Sequence, residues 1–199
     1  MISTLRLSLL PWEPGDWRHL TPLVTDPVVM CDITGGEAWS DARTQAFVAR
    51  QRALHASRGF CFWKLHGTAS GAFVGFCGLQ PLRHHDDIEV GWWLARDRWG
   101  LGFATEAARA AVADGFTRLD LERVVAITRP ANTRSLAVMA RLAMTYDRAF
   151  DYEGVKVVCY RLDRPAVDSG AVDGALPRLR DCGTRGQGRV RCATSASSN

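Results

Sequence analysis

The stretch RWGLGFATEA, residues 98–107, sets Gly100, Gly102 and Ala104 on alternate positions where an alanine-rich segment of helical character begins. A chain entering a helix leaves backbone N–H groups without partners, and the aligned peptide dipoles add partial positive charge there. Phosphate oxygens are favoured ligands at such a place. Small residues keep the approach open, and glycine admits the positive φ angles that let successive amides converge on one anion. A tight turn with close helix packing uses the same residues, so the loop alone leaves both readings open. The flanks decide the local architecture. Residues 88–94 alternate as a strand, with Ile88, Val90, Trp92 and Leu94 on one face and Glu89, Gly91 and Trp93 on the other. Residues 105–119 form a helix whose packing side is nearly all alanine, which lets it lie close to a sheet.

Working outward, residues 4–10 read as a strand, and Pro14, Gly15 and Asp16 break the chain and start a helical stretch. A further helix fits residues 40–57, where Ser40 can cap and Phe47, Val48 and Leu54 share a stripe. Residues 60–65 and 72–79 make a hairpin around a turn of His, Gly, Thr, Ala and Ser. Beyond the glycine loop and its helix come a strand at 123–128, a short helix at 133–143, and strands at 145–151 and 155–162 around Glu153 and Gly154. Such alternation specifies a mixed α/β domain, helices covering a sheet, over residues 1–164. Residues 165–199 contain no aromatic residue and no sustained period, and are expected to be a disordered tail rich in Gly, Ser and Arg.

A chain of 199 residues with 47% hydrophobic content and seven Trp can bury a sizeable core. The net charge of +4 comes from 25 basic and 21 acidic residues, and the arginines are scattered, so no nucleic-acid partner is expected. No apolar run approaches the roughly 18 residues of a membrane span, and no secretory leader is expected. The cysteines Cys31, Cys61, Cys77, Cys159, Cys182 and Cys192 show no metal-ligand spacing, and buried reduced thiols of a cytoplasmic protein are expected. His84, His85, Asp86 and Asp87 are ligand types, yet four adjacent residues in a turn cannot all face one ion. A solvated loop and no metal site are expected.

Phosphate-binding loops differ in their flanking residues. A P-loop needs Lys and then Ser or Thr after its last glycine, where this chain has Phe103 and Ala104. A dinucleotide fingerprint wants Gly or Ala at Thr105 and an acid ending the next strand, where Thr128 and Arg129 stand. Arg129 could suit a phosphorylated ribose, so an NAD(P)-binding enzyme stays as an alternative. A third comparison fits. The segments EVGWWLARDRWGLGFATEAARAAV, ANTRSLAVMARLAM and TLRLSLLPWEPGDWRHL together resemble the GCN5-related N-acetyltransferases (GNAT), in particular the branch of ribosomal-protein N-terminal acetyltransferases, over residues 3–162.

The resemblance implies a mostly antiparallel, splayed central sheet of about six to seven strands flanked by about four helices. It also implies that the backbone amides of Gly100, Leu101, Gly102, Phe103, Ala104 and Thr105 hold the pyrophosphate of acetyl-coenzyme A. Trp93 and Leu94 would lie at the splayed strand end, and Asn132, besides capping its helix, would touch the pantetheine arm. The family pattern begins at Trp99, where a polar residue is replaced, while Gly102 and Ala104 match.

Acyl transfer from a thioester to an amine needs a neutral amine, a polarised carbonyl and a proton for the departing thiolate. Glu89 is the candidate base, directly or through a water, on a face where Gly91 leaves room. An ion-paired structural carboxylate is the other reading. A backbone N–H near Trp93 or Leu94 is the candidate oxyanion donor. Many relatives place an acidic tyrosine where this chain has Met139, so proton donation passes to Ser135, on the inward stripe of its helix, or to water. Glu106 reads as an acid favoured by the helix dipole. The expected activity is transfer of acetyl from acetyl-coenzyme A to a primary amine, with a peptide N-terminus favoured by resemblance and a small amine also possible. A coenzyme-binding module without transfer is a further alternative. A monomer or homodimer is expected.

Overall fold

The computed structural model describes residues 1–166. Of the expected tail, residues 167–199 lie outside the described part. Eight strands form one sheet in the order β1-β2-β3-β4-β5-β6-β8-β7, and every neighbouring pair is antiparallel except β5 and β6. The strands are β1 (Ile2–Ser3), β2 (Leu7–Leu10), β3 (Phe62–Gly67), β4 (Phe73–Pro81), β5 (Ile88–Leu94), β6 (Arg123–Thr128), β7 (Thr145–Tyr152) and β8 (Val155–Asp163). Five α-helices accompany them among the described residues: α1 (Trp17–Val24), α2 (Pro27–Thr34), α3 (Asp41–Arg58), α4 (Phe103–Thr117) and α5 (Thr133–Arg141). The mixed, mostly antiparallel class expected from sequence is present, with one strand and one helix more than anticipated.

Both extra elements have local causes. The strand expected over residues 4–10 is broken because the Thr4 hydroxyl accepts from the Leu7 amide at 3.0 Å, closing a turn that folds β1 back onto β2. The single helical stretch after Asp16 becomes two. Asp26 caps α2 by accepting from the Val28 and Val29 amides, Pro27 occupies its first turn, and Gly35 at φ 81° ends it.

Helices cover the sheet on opposite faces, as the β4–β5 register shows. Phe76 and Gln80 of β4 stand opposite Trp93 and Glu89 of β5, and they meet α3 through Phe47 and Gln51. Leu79, opposite Val90, instead meets α4 at Gly115. Ala107, Ala108 and Ala111 of α4 are buried against the sheet, as their small size allows. On the α3 face, fully buried Phe76 collects Phe47, Phe62 and Trp93 at ring-centre distances of 5.0, 5.6 and 5.1 Å. Each such ring contributes on the order of 2 to 3 kcal/mol by leaving water.

Three expectations are corrected by packing. Gly91 does not leave room for a ligand: a Cβ there would stand 2.7 Å from the Phe62 ring, so the space holds core. Asp87 is not solvated but buried, hydrogen-bonded to Arg148 at 2.6 Å and ion-paired with Arg123 at 3.3 Å, while His85 packs on Phe150. Cys61, Cys77 and Cys159 are buried, but Cys31 on α2 is exposed; Cys182 and Cys192 lie outside the described residues. Among the described residues no group of three or more His, Cys, Asp or Glu could hold a metal, and no helix is long and apolar enough to cross a membrane.

Candidate active site

Strands β5 and β6 run parallel but pair only at Glu89 and Val125. Beyond that rung they part, so the β6-facing peptide groups of β5 toward Leu94 have no strand partner, and a cleft of about 2080 Å³ opens along the split. It reaches from the glycine loop to the far ends of β4 and the β7–β8 hairpin. Glu89, Trp93, Leu94, Trp99, Gly100, Gly102, Phe103, Ala104, Thr105, Asn132 and Ser135 all line it. Leu101, in the same loop, is exposed.

The loop has the geometry its sequence suggests. Gly100 and Gly102 take φ of 74° and 80°, and Gly102 caps α4 without a side-chain acceptor. Among the described residues, the amides of residues 100–105 donate to no protein acceptor, while the Glu106 amide makes the first helical bond to Gly102. A run of free N–H groups at the positive end of a fifteen-residue helix suits a multiply charged anion.

Side chains brace this loop instead of entering it. The Trp99 indole N–H donates to the Leu94 carbonyl at 2.9 Å, and the Arg134 guanidinium lies 4.3 Å from the centre of its ring. Arg6, from the distant N-terminal segment, donates to Glu106 through its backbone at 2.9 Å and its side chain at 2.6 Å, bonds the Leu101 carbonyl at 2.9 Å, and covers Phe103. Glu106 also accepts from the Thr4 hydroxyl. Burial works against its charge, but the Thr4 and Arg6 donors outweigh it and hold the carboxyl below its usual range. Glu106 is therefore a clasp as well as a dipole partner.

Glu89 lies half-buried in the cleft wall with no arginine paired to it among the described residues; its partner is Gln80, directly opposite on β4, which donates at 3.1 Å. The donor direction is set from afar. The Phe62 amide can only donate, and it bonds the Gln51 oxygen at 2.8 Å; the Gln51 amide then donates to the Gln80 oxygen at 3.3 Å, leaving the Gln80 amide for Glu89. Gln51 is wholly buried, so the chain is fixed within the protein. Burial pushes the Glu89 pKa up to about 7, and the Gln80 donor moderates the rise.

On α5, Asn132 spends its side-chain oxygen on the Ser135 amide at 3.0 Å, a helix cap. Ser135 is half-buried in the cleft, and Met139, one turn on, is wholly buried. Sequence reasoning did not single out Arg6, Gln51 or Gln80. Each reaches the site from an element distant in sequence, and only the Gln80 position could have been found, by counting the β4–β5 register back from Glu89.

The comparisons with known proteins agree with this geometry. The Acetyltransferase (GNAT) domain matches residues 6–145. An uncharacterized N-acetyltransferase p20 of Bacillus licheniformis is 35% identical over 159 residues, 78% of this chain and 88% of the relative. The FsC-acetyl coenzyme A-N(2)-transacetylase of Aspergillus fumigatus is 28% identical over 186 residues, 89% of this chain and 76% of that protein. Among solved structures, RimL, a ribosomal L7/L12 alpha-N-protein acetyltransferase in complex with coenzyme A, superposes with a TM-score of 0.66 at 20% identity, over 80% of this chain and 95% of that one. The dinucleotide alternative for the glycine loop falls with these matches, and the chain belongs to the GNAT family of acetyl-coenzyme A-dependent N-acetyltransferases.

Proposed function

We propose that the protein acetylates a terminal α-amine, with a peptide N-terminus as the favoured acceptor, by direct transfer at the β5–β6 split. The observation that carries this reading is Glu89, with a pKa of about 7, held in the wall of the cleft that the glycine loop also lines. An acceptor must lose a proton before it attacks. At pH 7 that costs about 1 kcal/mol for an α-amine and roughly 4 to 5 kcal/mol for a lysine side chain. A base near 7 is matched to the first and falls well short of the second. The RimL structure, whose protein acts on an N-terminus, has the same fold and makes such an acceptor reasonable for this one.

In this reading the amides of residues 100–105 hold the coenzyme diphosphate. Asn132 is a candidate contact for the pantetheine arm. The free N–H groups near Trp93 and Leu94 receive the carbonyl oxygen as it gains charge. Glu89 takes the amine proton. Ser135 or a water returns one to the departing thiolate, since Met139 cannot. No step uses a metal, and the protein works in the cytoplasm as a monomer or homodimer.

The test is incubation with acetyl-coenzyme A and a panel of peptides, polyamines and amino acids, following free thiol and acetylated product by mass spectrometry. Product on peptide α-amines ahead of lysine side chains is expected. Coenzyme binding with no product on any amine would point instead to a module that has lost transfer.

A further inference from the structure

The acceptor side of the cleft carries a charge pattern that acetyl transfer by itself does not require. Helix α3 turns Arg43, Phe47, Arg50 and Leu54 toward the cleft, successive positions of one helical face. Arg50 stands level with Glu89, because its neighbour Gln51 reaches Gln80, the residue opposite Glu89. Arg43 lies two turns away, stacked 4.6 Å from the ring centre of Trp39, which in turn packs on Trp93. The stripe therefore runs alongside β5 from Trp93 to Glu89.

Neither Arg43 nor Arg50 has a carboxylate within 4.0 Å among the described residues. The nearby acids are engaged elsewhere: Glu153 bonds Arg83 at 2.6 Å and Glu89 accepts from Gln80. Beneath Arg43, the Trp39 indole N–H is buried with no acceptor among the described residues. Although Arg50 opens to the cleft, burial and then the nearby Arg83 charge lower its pKa. Both guanidiniums are exposed and hydrated, so what this wall offers is positive charge with no internal carboxylate beside it, together with one buried donor, the Trp39 N–H, a combination that favours an anion over a cation in this part of the cleft. The coenzyme diphosphate does not answer the need at Arg50. It belongs to the loop beyond Leu94, about 17 Å along β5 from Glu89 at ~3.3 Å per residue.

We infer that the acceptor is an anionic amine, a molecule or peptide N-terminus with a carboxylate near the amine to be acetylated, the carboxylate resting on Arg50 while the amine faces Glu89, and Arg43 adding positive charge farther along the same wall. The inference rests on the acetyl-transfer reading and narrows its substrate class. The attacking amine forms the new amide bond, the thioester C–S bond breaks, the amine proton passes to Glu89 and the thiolate is reprotonated. The anion takes no part in bond-making and serves to orient the amine.

The test measures kcat/KM with acetyl-coenzyme A for matched peptides beginning Ser-Glu, Ser-Gln and Ser-Lys, and, as small molecules, for aspartic acid α-amide against asparagine α-amide. The peptide and small-molecule arms separate the two sources of the carboxylate. The wild-type protein is expected to favour the acidic member of at least one set by roughly tenfold to a hundredfold, mostly through KM. Arg50→Gln is expected to bring that ratio toward one, and Arg50→Glu to place the Ser-Lys peptide ahead of Ser-Glu. A coenzyme-induced thermal shift retained in both variants shows that they are folded. Equal efficiency within every wild-type set, or a preference that both folded variants keep, would overturn the anionic acceptor and leave acetyl transfer standing. No product from any acceptor would overturn the transfer reading and this inference with it.

Discussion

In the proposed reaction Glu89 must be charged when it takes a proton, and it is held where charge is disfavoured. Burial raises its pKa from 4.5 to about 7, so below that value the carboxyl is mostly neutral and cannot act as a base. Wild-type kcat/KM for an α-amine is therefore expected to rise with pH through about 7. Glu89→Gln should lower it roughly 10²-fold and remove that limb of the profile, as a pH–rate series with saturating coenzyme would show. The same shift has a stability consequence of known sign. Between pH 4.5 and about 7 the folded carboxyl keeps a proton that the unfolded one has released, so stability falls as pH rises across that window. Glu89→Gln escapes this loss. It should be about 1–3 kcal/mol more stable than wild type at pH 8 and no more stable near pH 4, by urea titration. Gln80→Leu acts at one remove. Without its donor the charged form of Glu89 loses support, so the midpoint of the pH–rate limb should move upward while saturating kcat above it changes less.

At the scale of elements, the glycine loop and α4 make one device in the proposed function, and its working parts are backbone amides. Gly102 sits at φ 80°, a conformation that costs an L-residue about 1–2 kcal/mol. Gly102→Ala should lose about that much stability, and coenzyme affinity should fall at least about tenfold as the amides lose their convergence, measured by titration calorimetry. The sequence made this loop readable because small residues leave a local mark: a chain segment either carries side chains at a helix entrance or does not. Strand β5 was legible for a similar reason, its period-two alternation matching the observed Ile88–Leu94 bounds. The break between α1 and α2 is also written locally, in Asp26 as cap and Pro27 in the first turn, a pair that marks a helix start.

At the scale of the molecule, the N-terminal segment is tied to the coenzyme loop by Arg6 and Glu106. The pair is partly exposed, with Arg6 45% accessible, and exposed ion pairs contribute only about 0–1 kcal/mol to stability. Arg6→Ala should therefore change the melting temperature little. It also releases the Leu101 carbonyl and the Phe103 ring, so coenzyme affinity should drop by a larger factor than stability would suggest, a contrast that paired calorimetry and thermal melts would reveal. Coenzyme itself should act on the whole fold. At a hundred times its Kd, acetyl-coenzyme A should stabilise the wild-type protein by about 2.7 kcal/mol, a rise of roughly 5–10 °C in Tm, while NADP should leave it unchanged.

By itself the sequence determined the strand–glycine loop–helix unit, the α/β class and the candidate role of Glu89, because hydrophobic period, small residues at a helix start and a lone acid on a strand face are properties of neighbours along the chain. Only the tertiary structure decided what surrounds them. Gln51 and Gln80 orient Glu89 across two elements, Arg6 reaches Glu106 from the other end of the domain, and Phe62 fills the space beside Gly91. The stripe of Arg43 and Arg50 likewise acquires meaning only when α3 is laid along the β5–β6 split. These contacts depend on strand register and on which face each helix covers, and both are fixed by packing of the whole core.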